Sequence, residues 1–441
     1  MQENELAPGA LEAFREYHQT IRSSFPFLEH DGAGNPRVYL DSGAGTLVPR
    51  LSIEAMGKAY AEARAQPGEI SHSERLTRDL IWETRSLLTR LLNGYSPDEI
   101  AFHASTTHSL LNLAIAFRPL VQKHHNIIVT DADHFANVSP WEVLYGEREG
   151  LEIRRLRVND AGKVDLDQLQ SLVDSNTRIV AMTYAANAVG TVMPIREIAD
   201  IVHAFRDEQG NGAYLVVDAV HHAFHGPIDV QEIQSDFLTI SGYKLFGPML
   251  GVLWGKREHL NKLAPYCVAP NPNSFEQGSL NTAVLGAMQG ALRYLLTLGN
   301  HLAPYYAEAL EEVPEAETRL FRAALMGIEQ YERELSREVL RSFETFPKDR
   351  FRYYGLKTVQ DGVWTRDPTF CLEIEGKGTA ELKRLCWELG RIEVAAGDVF
   401  SAMINRHLQK EEAVIRASFA HYDDLHTVRA FISTLSRILD S

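Results

Sequence analysis

Between residues 98 and 256, short apolar segments alternate with segments of helical periodicity, and this alternation leaves few possible folds. The segments predicted to be strands are Asn126–Thr130, Ile153–Val158, Arg178–Tyr184, Tyr214–Val220 and Phe237–Ser241. Asp165–Asp174 and Ile195–Gln209 are predicted to be helices between them. The pattern predicts an α/β fold in which a mostly parallel sheet has helices on both faces. Ligands of such sheets bind at the carboxyl ends of the strands.

The length of 441 residues is more than one simple core accommodates, so we expect a large and a small domain. Residues 1–50 are predicted to be an N-terminal arm that contributes to the small domain and the active site. Residues 51–300 are predicted to form the large, ligand-binding domain. Residues 301–441 mix predicted helices and strands and are expected to form a small C-terminal α+β domain.

A lysine and an aspartate lie at the ends of two of the predicted strands. Lys244 lies within Ser241–Pro248, between apolar segments where a solvated lysine is not expected. A lysine in such a place can serve as a reactive amine. Asp218 ends the strand before it along the chain, and the alternative is a structural aspartate paired with an arginine. Together they match the two poles of a pyridoxal 5'-phosphate (PLP) site: Schiff-base lysine and partner of the pyridine nitrogen.

Two further segments suit the phosphate and the ring of this cofactor. The segment Ile100–Thr107 brings hydroxyl groups and free backbone N–H groups to the start of a predicted helix, which favours an anion. Its alternative is plain N-capping by Ser105 or Thr106. His134 follows a predicted strand and can stack on a pyridine ring, although it can also be an ordinary loop histidine.

Composition excludes several other classes of function. The formal net charge of −15 argues against nucleic acid or an anionic membrane as the main partner. The cysteines, Cys267, Cys371 and Cys386, have no metal-site spacing, so we expect no metal. Few cysteines, no visible signal peptide and no apolar run near the ~20 residues of a membrane span predict a cytoplasmic protein.

Segments along nearly the whole chain resemble the class V aminotransferase family of fold-type I PLP-dependent enzymes, and within it the cysteine desulfurase-like branch. The similar segments, in the family's order, are Tyr39–Ser42, Phe102–Thr107, Asp133–Trp141, Asn187–Thr191, Val217–His221, Ser241–Pro248, Phe275–Ser279 and Ile415–Phe419. The resemblance implies the fold-type I PLP-dependent transferase fold, with a seven-stranded sheet in the large domain. It also implies a homodimer with the active site at the subunit interface.

The resemblance assigns roles to individual residues. Lys244 is the Schiff-base lysine, Asp218 pairs with the pyridine nitrogen, and His134 stacks on the ring. The residues implied to bind the cofactor phosphate are Thr106, Thr107, Ser241 and, from the other subunit, Ser279.

The remaining assignments concern the substrate and the cofactor phenol. Arg416 is implied to grip the substrate α-carboxylate, since a guanidinium group fits a carboxylate with two hydrogen bonds. Asn187 lies near both that carboxylate and the phenol. His221 and Tyr243 also contact the cofactor, but the family has glutamine at the first position and desulfurases often have histidine at the second.

A third departure concerns the reaction. Desulfurases carry a nucleophilic cysteine in a loop of the small domain, and the corresponding segment here, Val394–Ser401, has none. Phe400 stands at about that position. Cys371 lies in a predicted strand and Cys386 in a predicted helix, so both are expected to be core residues, while Cys267 is far from the motif. A persulfide mechanism needs a mobile thiolate near the substrate, which disfavours an ordinary cysteine desulfurase.

We therefore expect a PLP-dependent enzyme that acts on a small α-amino acid through an external aldimine and a Cα carbanion. The predicted outcome is a desulfurase-like C–S or β-elimination lyase that works without a persulfide cysteine. An aminotransferase or an epimerase of class V is the alternative. A non-catalytic binding protein with the same fold is the third possibility.

Overall fold

The computed structural model describes residues 9–206, 210, 212–268, 273–361, 364–401 and 414–441. The strands are β1 (Val38–Tyr39), β2 (Ile100–His103), β3 (Asn126–Thr130), β4 (Glu152–Leu156), β5 (Thr177–Thr183), β6 (Thr191–Val192), β7 (Tyr214–Asp218), β8 (Phe237–Ser241), β9 (Gly251–Gly255), β10 (Phe351–Tyr354), β11 (Gln360–Asp361), β12 (Trp364–Arg366), β13 (Thr369–Ile374), β14 (Ile392–Glu393), β15 (Ala395–Gly397) and β16 (Val414–Ser418).

Helices lie between these strands in the described part of the chain. They are α1 (Ala10–Ser23), α2 (Arg50–Glu62), α3 (His72–Leu92), α4 (Thr106–Ala116), α5 (Ser139–Trp141), α6 (Leu166–Leu172), α7 (Ile195–His203), α8 (Val230–Ile233), α9 (Arg257–Leu260), α10 (Thr282–Leu302), α11 (Ala316–Phe343), α12 (Thr379–Gly390) and α13 (Leu425–Leu439). A π-helical segment, Glu142–Glu147, continues α5. Helix α3 begins with a capping box between Ser71 and Glu74 and is followed by the C-cap residue Asn93, whose φ is 54°.

The largest sheet has seven strands in the order β2-β9-β8-β7-β5-β3-β4. The pairs from β8 to β4 are parallel, and β9 runs antiparallel to both of its neighbours. Only β9 therefore opposes the common direction, which confirms the predicted mostly parallel, seven-stranded sheet. The carboxyl ends of β7 and β8 lie side by side, because Asp218 is the register partner of Thr239.

Successive residues of the central strands enter two separate apolar cores, as the two faces of a covered sheet require. Ile127 and Val129 of β3 belong to one core, and Ile128 belongs to the other. In β7, Val216 joins the first core and Val217 the second. Helix α4 contributes to the first core and α10 to the second, so helices cover both faces, as predicted.

The C-terminal residues build a second sheet in the order β10-β13-β16-β15, in which every pair is antiparallel. Strand β1 pairs with β14, so the N-terminal segment lies beside the C-terminal part of the chain. Strand β6 pairs with β12 and makes a second link between distant segments. The predicted domain limits, 1–50, 51–300 and 301–441, stay a prediction.

The predicted elements of the α/β region are confirmed with small shifts of their ends. The segment predicted as Ile153–Val158 is a strand over Glu152–Leu156, and Tyr214–Val220 is shortened to Tyr214–Asp218. The predicted helix Ile195–Gln209 ends at His203, and its predicted residues 207–209 lie outside the described residues. Among the described residues, no helix is both long and apolar enough to cross a membrane.

Candidate active site

Lys244 is buried in a tight turn at the carboxyl end of β8, where the sequence predicts it. The turn spans Gly242–Lys244, and the backbone N–H of Gly242 donates to the carbonyl of Leu250 over 2.7 Å. A Cβ atom at position 242 would lie 2.6 Å from the carbonyl oxygen of Pro248, so only glycine fits. Burial and the Arg416 guanidinium lower the pKa of Lys244, although Asp218 opposes the shift. The site thus holds an amine that loses its proton readily.

Asp218 ends the neighbouring strand β7 and is also buried. Its Oδ1 atom accepts a hydrogen bond from the backbone N–H of Val220 over 3.0 Å. Burial raises the pKa of Asp218, whereas that N–H group and Lys244 act in the opposite direction. A carboxylate in this position is stabilised by a cationic partner. Asp133, to which the sequence assigns no role, adds a second buried carboxyl group, whose pKa is raised by burial and further by the charge of Asp218.

The N-terminus of α4 meets the end of β8. Thr106 Oγ1 donates to the carbonyl of Ile240 over 2.9 Å and lies 2.6 Å from Ser241 Oγ. Thr107 follows at the exposed first turn of the helix. Ser105 caps the helix by accepting from the backbone N–H of His108 over 3.2 Å. Hydroxyl groups and helix N–H groups therefore converge on one point, which suits a phosphate.

Ser279 lies apart from these groups in the single chain. It is exposed, and its hydroxyl group accepts a hydrogen bond from Gln66 Nε2 over 3.3 Å. Among the described contacts, none joins Ser279 to Thr106, Thr107 or Ser241.

His134 presents a neutral imidazole ring between the sheet and the C-terminal segment. Its Nδ1 atom accepts from the backbone N–H of Ala136 over 3.0 Å. Burial, with the charges of Lys244 and Arg416, lowers the pKa of His134 to about 4. The ring centroid lies 5.5 Å from that of Phe400, whose carbonyl accepts from the N–H of Phe135 over 2.9 Å.

Arg416 reaches the site from β16 and is buried. It donates through Nη1 to the carbonyl of Asn187 over 3.1 Å, and Nη2 lies 3.4 Å from Oδ1 of Asp41. The Nε atom of Arg416 and the Oδ1 atom of Asn187 are buried without a partner among the described residues. The Nδ2 group of Asn187 donates to the carbonyl of Val399 over 2.8 Å. Asp41 is a site residue that sequence reasoning missed, although its segment carries the resemblance.

His221 and Tyr243 flank these groups. The Nε2 atom of His221 lies 3.0 Å from Thr369 Oγ1, and its Nδ1 atom is buried without a partner among the described residues. Burial, followed by the charge of Lys244, lowers the pKa of His221 well below its ordinary value. The backbone carbonyl of Tyr243 accepts from the N–H of Thr46 over 3.1 Å, which ties the N-terminal segment to the lysine turn.

The Aminotransferase class-V family model matches residues 38–318, which is more than half of the chain. The chain belongs to the class V aminotransferase family. It is 32% identical over 324 residues to a cysteine desulfurase of Pectobacterium atrosepticum, covering 67% of this chain and 78% of that protein. It is 33% identical over 327 residues to a cysteine desulfurase of Cronobacter sakazakii, covering 67% and 78%.

Solved structures agree with this assignment. The cysteine desulfurase CsdA of Escherichia coli superposes with a TM-score of 0.76 at 25% identity, over 96% of this chain and 98% of that one. A cysteine desulfurase of Thermococcus onnurineus superposes with a TM-score of 0.78 at 20% identity, over the same shares, and supports the fold. The fold-type I assignment is therefore confirmed, and this class V protein is a PLP-dependent enzyme.

The side chains of this class V enzyme fit that cofactor. A buried amine with a lowered pKa suits the aldehyde, a buried carboxylate suits the ring nitrogen, and the start of α4 suits the phosphate. The unpartnered Asn187 Oδ1 and His221 Nδ1 atoms are polar groups that a bound ligand can satisfy.

The class V enzyme has no thiol in the loop where the sequence comparison expects one. Cys371 lies in β13 and Cys386 in α12, where burial raises the pKa of both thiols. Cys267 is partly buried beyond α9. Phe400 occupies the loop between β15 and residue 402, with 66% of its surface exposed, and has a left-handed φ of 55°.

Proposed function

We propose that this class V enzyme is a lyase that eliminates a β-substituent from a small α-amino acid. The observation that carries the proposal is that a buried amine, Lys244, lies within the electrostatic reach of a buried carboxylate, Asp218, and a buried guanidinium group, Arg416. When bound, PLP supplies an electron sink for the electron pair that is freed at Cα.

Each residue of the cofactor site has a task that its surroundings support. Lys244 would hold the cofactor aldehyde through its amine, and with its lowered pKa it would take the proton from Cα of the substrate. Asp218 would keep the pyridine nitrogen protonated, and His134, a neutral imidazole, would stack on the ring. The phosphate binds to Thr106, Thr107 and Ser241, with Ser279 of the other subunit as a further donor.

The substrate is oriented by its α-carboxylate. Arg416 binds this group as a two-pronged donor. It also donates through Nη1 to the backbone carbonyl of Asn187, whose side-chain Nδ2 donates to the carbonyl of Val399. His221 and Tyr243 contact the cofactor beside Lys244. Orientation by a fixed guanidinium group places Cα–H toward the Lys244 amine, which is what proton removal needs.

The segment Val394–Ser401 carries no cysteine, which supports elimination to solvent rather than transfer of sulfur to the protein. Cys371 and Cys386 are buried with raised pKa values, so neither offers a thiolate. The leaving group departs with the electron pair of its bond to Cβ. The relatives named above are cysteine desulfurases, so the first substrate to test is cysteine.

We also propose that the enzyme is a homodimer with its active site at the subunit interface. Helix α2 exposes Ile53, Met56 and Tyr60 at intervals that place them on one face. The isolated position of Ser279 supports a contribution from a partner. The predicted domain limits and the predicted cytoplasmic location are further parts of this proposal.

The proposal is tested by trapping the cofactor covalently and by measuring the products released from amino acids. Borohydride treatment of the coloured protein is expected to fix the cofactor on the peptide that contains Lys244, and Lys244→Ala to abolish both colour and adduct. Incubation with single amino acids is then expected to release pyruvate, with sulfide from cysteine.

Other outcomes would contradict the lyase proposal. A new amino acid that depends on an added keto acid would indicate an aminotransferase, and loss of chirality at Cα without release of a fragment would indicate an epimerase. If no amino acid changed the visible spectrum, the binding-protein alternative would stand.

A further inference from the structure

A short hydrogen-bonded series of buried side chains leads away from His221 toward the C-terminal sheet. His221 Nε2 lies 3.0 Å from Thr369 Oγ1 at the start of β13. Thr369 Oγ1 donates to Ser418 Oγ over 3.1 Å, and Ser418 ends β16. The two hydroxyl residues face each other because Thr369 and Ser418 are register partners in the antiparallel sheet. All three side chains are buried.

The direction of these bonds determines where the imidazole carries its hydrogen. A threonine hydroxyl group has one hydrogen, and Thr369 donates it to Ser418. The bond between Thr369 and His221 therefore needs a hydrogen from the ring, which places it on Nε2. A neutral imidazole has a single N–H group, so Nδ1 of His221 is then a bare acceptor.

The Nδ1 atom of His221 is buried and has no partner among the described residues. A buried acceptor without a donor is costly, so a bound ligand that brings an N–H or O–H group improves the site. Fixed in this tautomer, the imidazole offers such a ligand only an acceptor.

The charged and titratable groups that face His221 keep its ring neutral. Lys244 from the turn after β8 and Arg416 from β16 are cationic neighbours, and His225 and His222 lie in the same segment. These groups and burial lower the pKa of His221. Asp367, just before β13, is also close, but it is engaged with His222 Nδ1 over 3.1 Å.

We propose that Thr369 is a positioning residue of the active site, which with Ser418 fixes His221 as the neutral Nε2–H tautomer and leaves Nδ1 to accept a hydrogen bond from the bound cofactor or substrate. The proposal rests on the proposed function only in placing that ligand beside Lys244. The tautomer itself is a property of the protein.

The first experiment uses the holoenzyme with ¹⁵N-labelled histidine side chains, and His221→Gln identifies the resonances of residue 221. The expected result is an N–H hydrogen on Nε2 of His221 near neutral pH. A hydrogen on Nδ1, or a doubly protonated ring, would overturn the proposal even if the enzyme proved to be a lyase.

The second experiment compares Thr369→Val, which keeps the shape and removes the hydroxyl group, with Thr369→Ser, which keeps the hydroxyl group. Loss of one hydrogen bond is expected to shift the pH midpoint of the cofactor's visible absorption by about 0.7 unit in Thr369→Val. Thr369→Ser is expected to keep the wild-type midpoint, and so is Thr239→Val, because the Thr239 hydroxyl group is buried without a partner among the described residues.

Equal midpoints in Thr369→Val and wild type, with both proteins folded by circular dichroism, would overturn the positioning role. A shift of the same size in Thr369→Ser would also overturn it, because volume and not the hydroxyl group would then be responsible. A shift of that size in Thr239→Val would overturn it as well, because removal of a hydroxyl group outside the series would then have the same effect. If Thr369→Val did not fold, the tautomer measurement on the wild type would still decide. Failure of the lyase proposal is seen separately, as absent product release with an intact spectrum.

Discussion

Three buried atoms without partners in the described part of the chain belong to residues that we propose to bind the cofactor or the substrate. Asn187 Oδ1, His221 Nδ1 and Arg416 Nε are all buried and unpartnered among the described residues. Buried polar atoms are nearly always hydrogen-bonded, so each exception needs an explanation. All three belong to residues that the sequence resemblance assigns to the cofactor or the substrate, and a bound ligand explains them together.

The role of Arg416 can be tested by two substitutions. Arg416→Ala is expected to raise KM for an α-amino acid by roughly 10- to 100-fold, because a charge-assisted hydrogen bond contributes about 1.5–3 kcal/mol. The KM of Arg416→Lys is expected to lie between those of the wild type and Arg416→Ala, since an ammonium group cannot bind a carboxylate with two parallel hydrogen bonds. Steady-state kinetics measures both, with Arg15→Ala as a control because the ion pairs of Arg15 lie at the surface. An unchanged KM in Arg416→Ala would remove the carboxylate-binding role.

His103, beneath the phosphate site, allows a test of pH-dependent stability. Burial lowers the pKa of His103 to about 4, while an unfolded histidine titrates near 6.5. The unfolded chain therefore takes up a proton as the pH falls from about 6.5 to 4 and the folded chain does not, so stability is lost on acidification. His103→Gln is expected to reduce the pH slope of the unfolding free energy in this window by up to about 1.4 kcal/mol per pH unit. Urea unfolding at several pH values measures the slope, and equal slopes would contradict the assignment.

The sequence predicts site residues well where a single strand end carries them. Lys244 and Asp218 each follow an apolar segment, and parallel neighbours bring their ends together. Asp41 and Thr369 could not be predicted in the same way. Asp41 contacts Arg416, and Thr369 contacts His221, and in each case the two residues are more than a hundred positions apart in the sequence. These contacts depend on the register of β13 with β16 and on the path of the N-terminal segment.

At the scale of elements, the phosphate site depends on how closely β9 approaches the start of α4. A Cβ atom at Gly251 would lie 2.2 Å from the carbonyl carbon of Ser105 and 2.6 Å from the backbone nitrogen of Thr106. Such distances leave no room for a side chain, and the atoms in the way are backbone atoms that cannot rotate aside. Glycine at the first residue of β9 therefore sets the position of the helix N-terminus.

Gly251→Ala is expected to displace the start of α4 and to weaken PLP binding at least about tenfold. The reason is that anion binding at this site depends on the direction in which the backbone N–H groups of the helix point. Titration of the cofactor-free protein with PLP, followed by absorbance, gives the affinity. The matched control is Gly32→Ala, since nothing lies within 4 Å of a Cβ atom at Gly32 and its φ is not in the left-handed region. Equal affinities in the two variants would show that the close approach is unimportant for the cofactor.

The regular elements could be predicted because their apolar periods are long enough to recognise, as in β3 and β8. The pairing of distant segments could not, because β1, β6 and β14 have only two residues each, and a period that short does not identify a partner strand. The left-handed backbone of Val399 and Phe400 was equally hidden, since neither residue type favours a positive φ. The position of the loop Val394–Ser401 beside His134 is thus known only from the structure.

At the scale of the whole molecule, the proposed dimer explains why Ser279 is exposed while the rest of the phosphate site is assembled. In a symmetric dimer each active site would combine Lys244 of one subunit with Ser279 of the other. Ser279→Glu places a negative charge against the phosphate and is expected to inactivate the enzyme, as Lys244→Ala does by removing the amine.

A heterodimer of one Lys244→Ala subunit and one Ser279→Glu subunit then decides the arrangement. Both substitutions fall in one site and the other site is intact, so about half of the wild-type activity per dimer is expected. Co-expression with two affinity tags isolates this heterodimer, and sedimentation confirms its mass. If Ser279 served its own subunit, each site would carry one damaging substitution and the heterodimer would be inactive. Full activity of the Ser279→Glu homodimer would remove Ser279 from the site altogether.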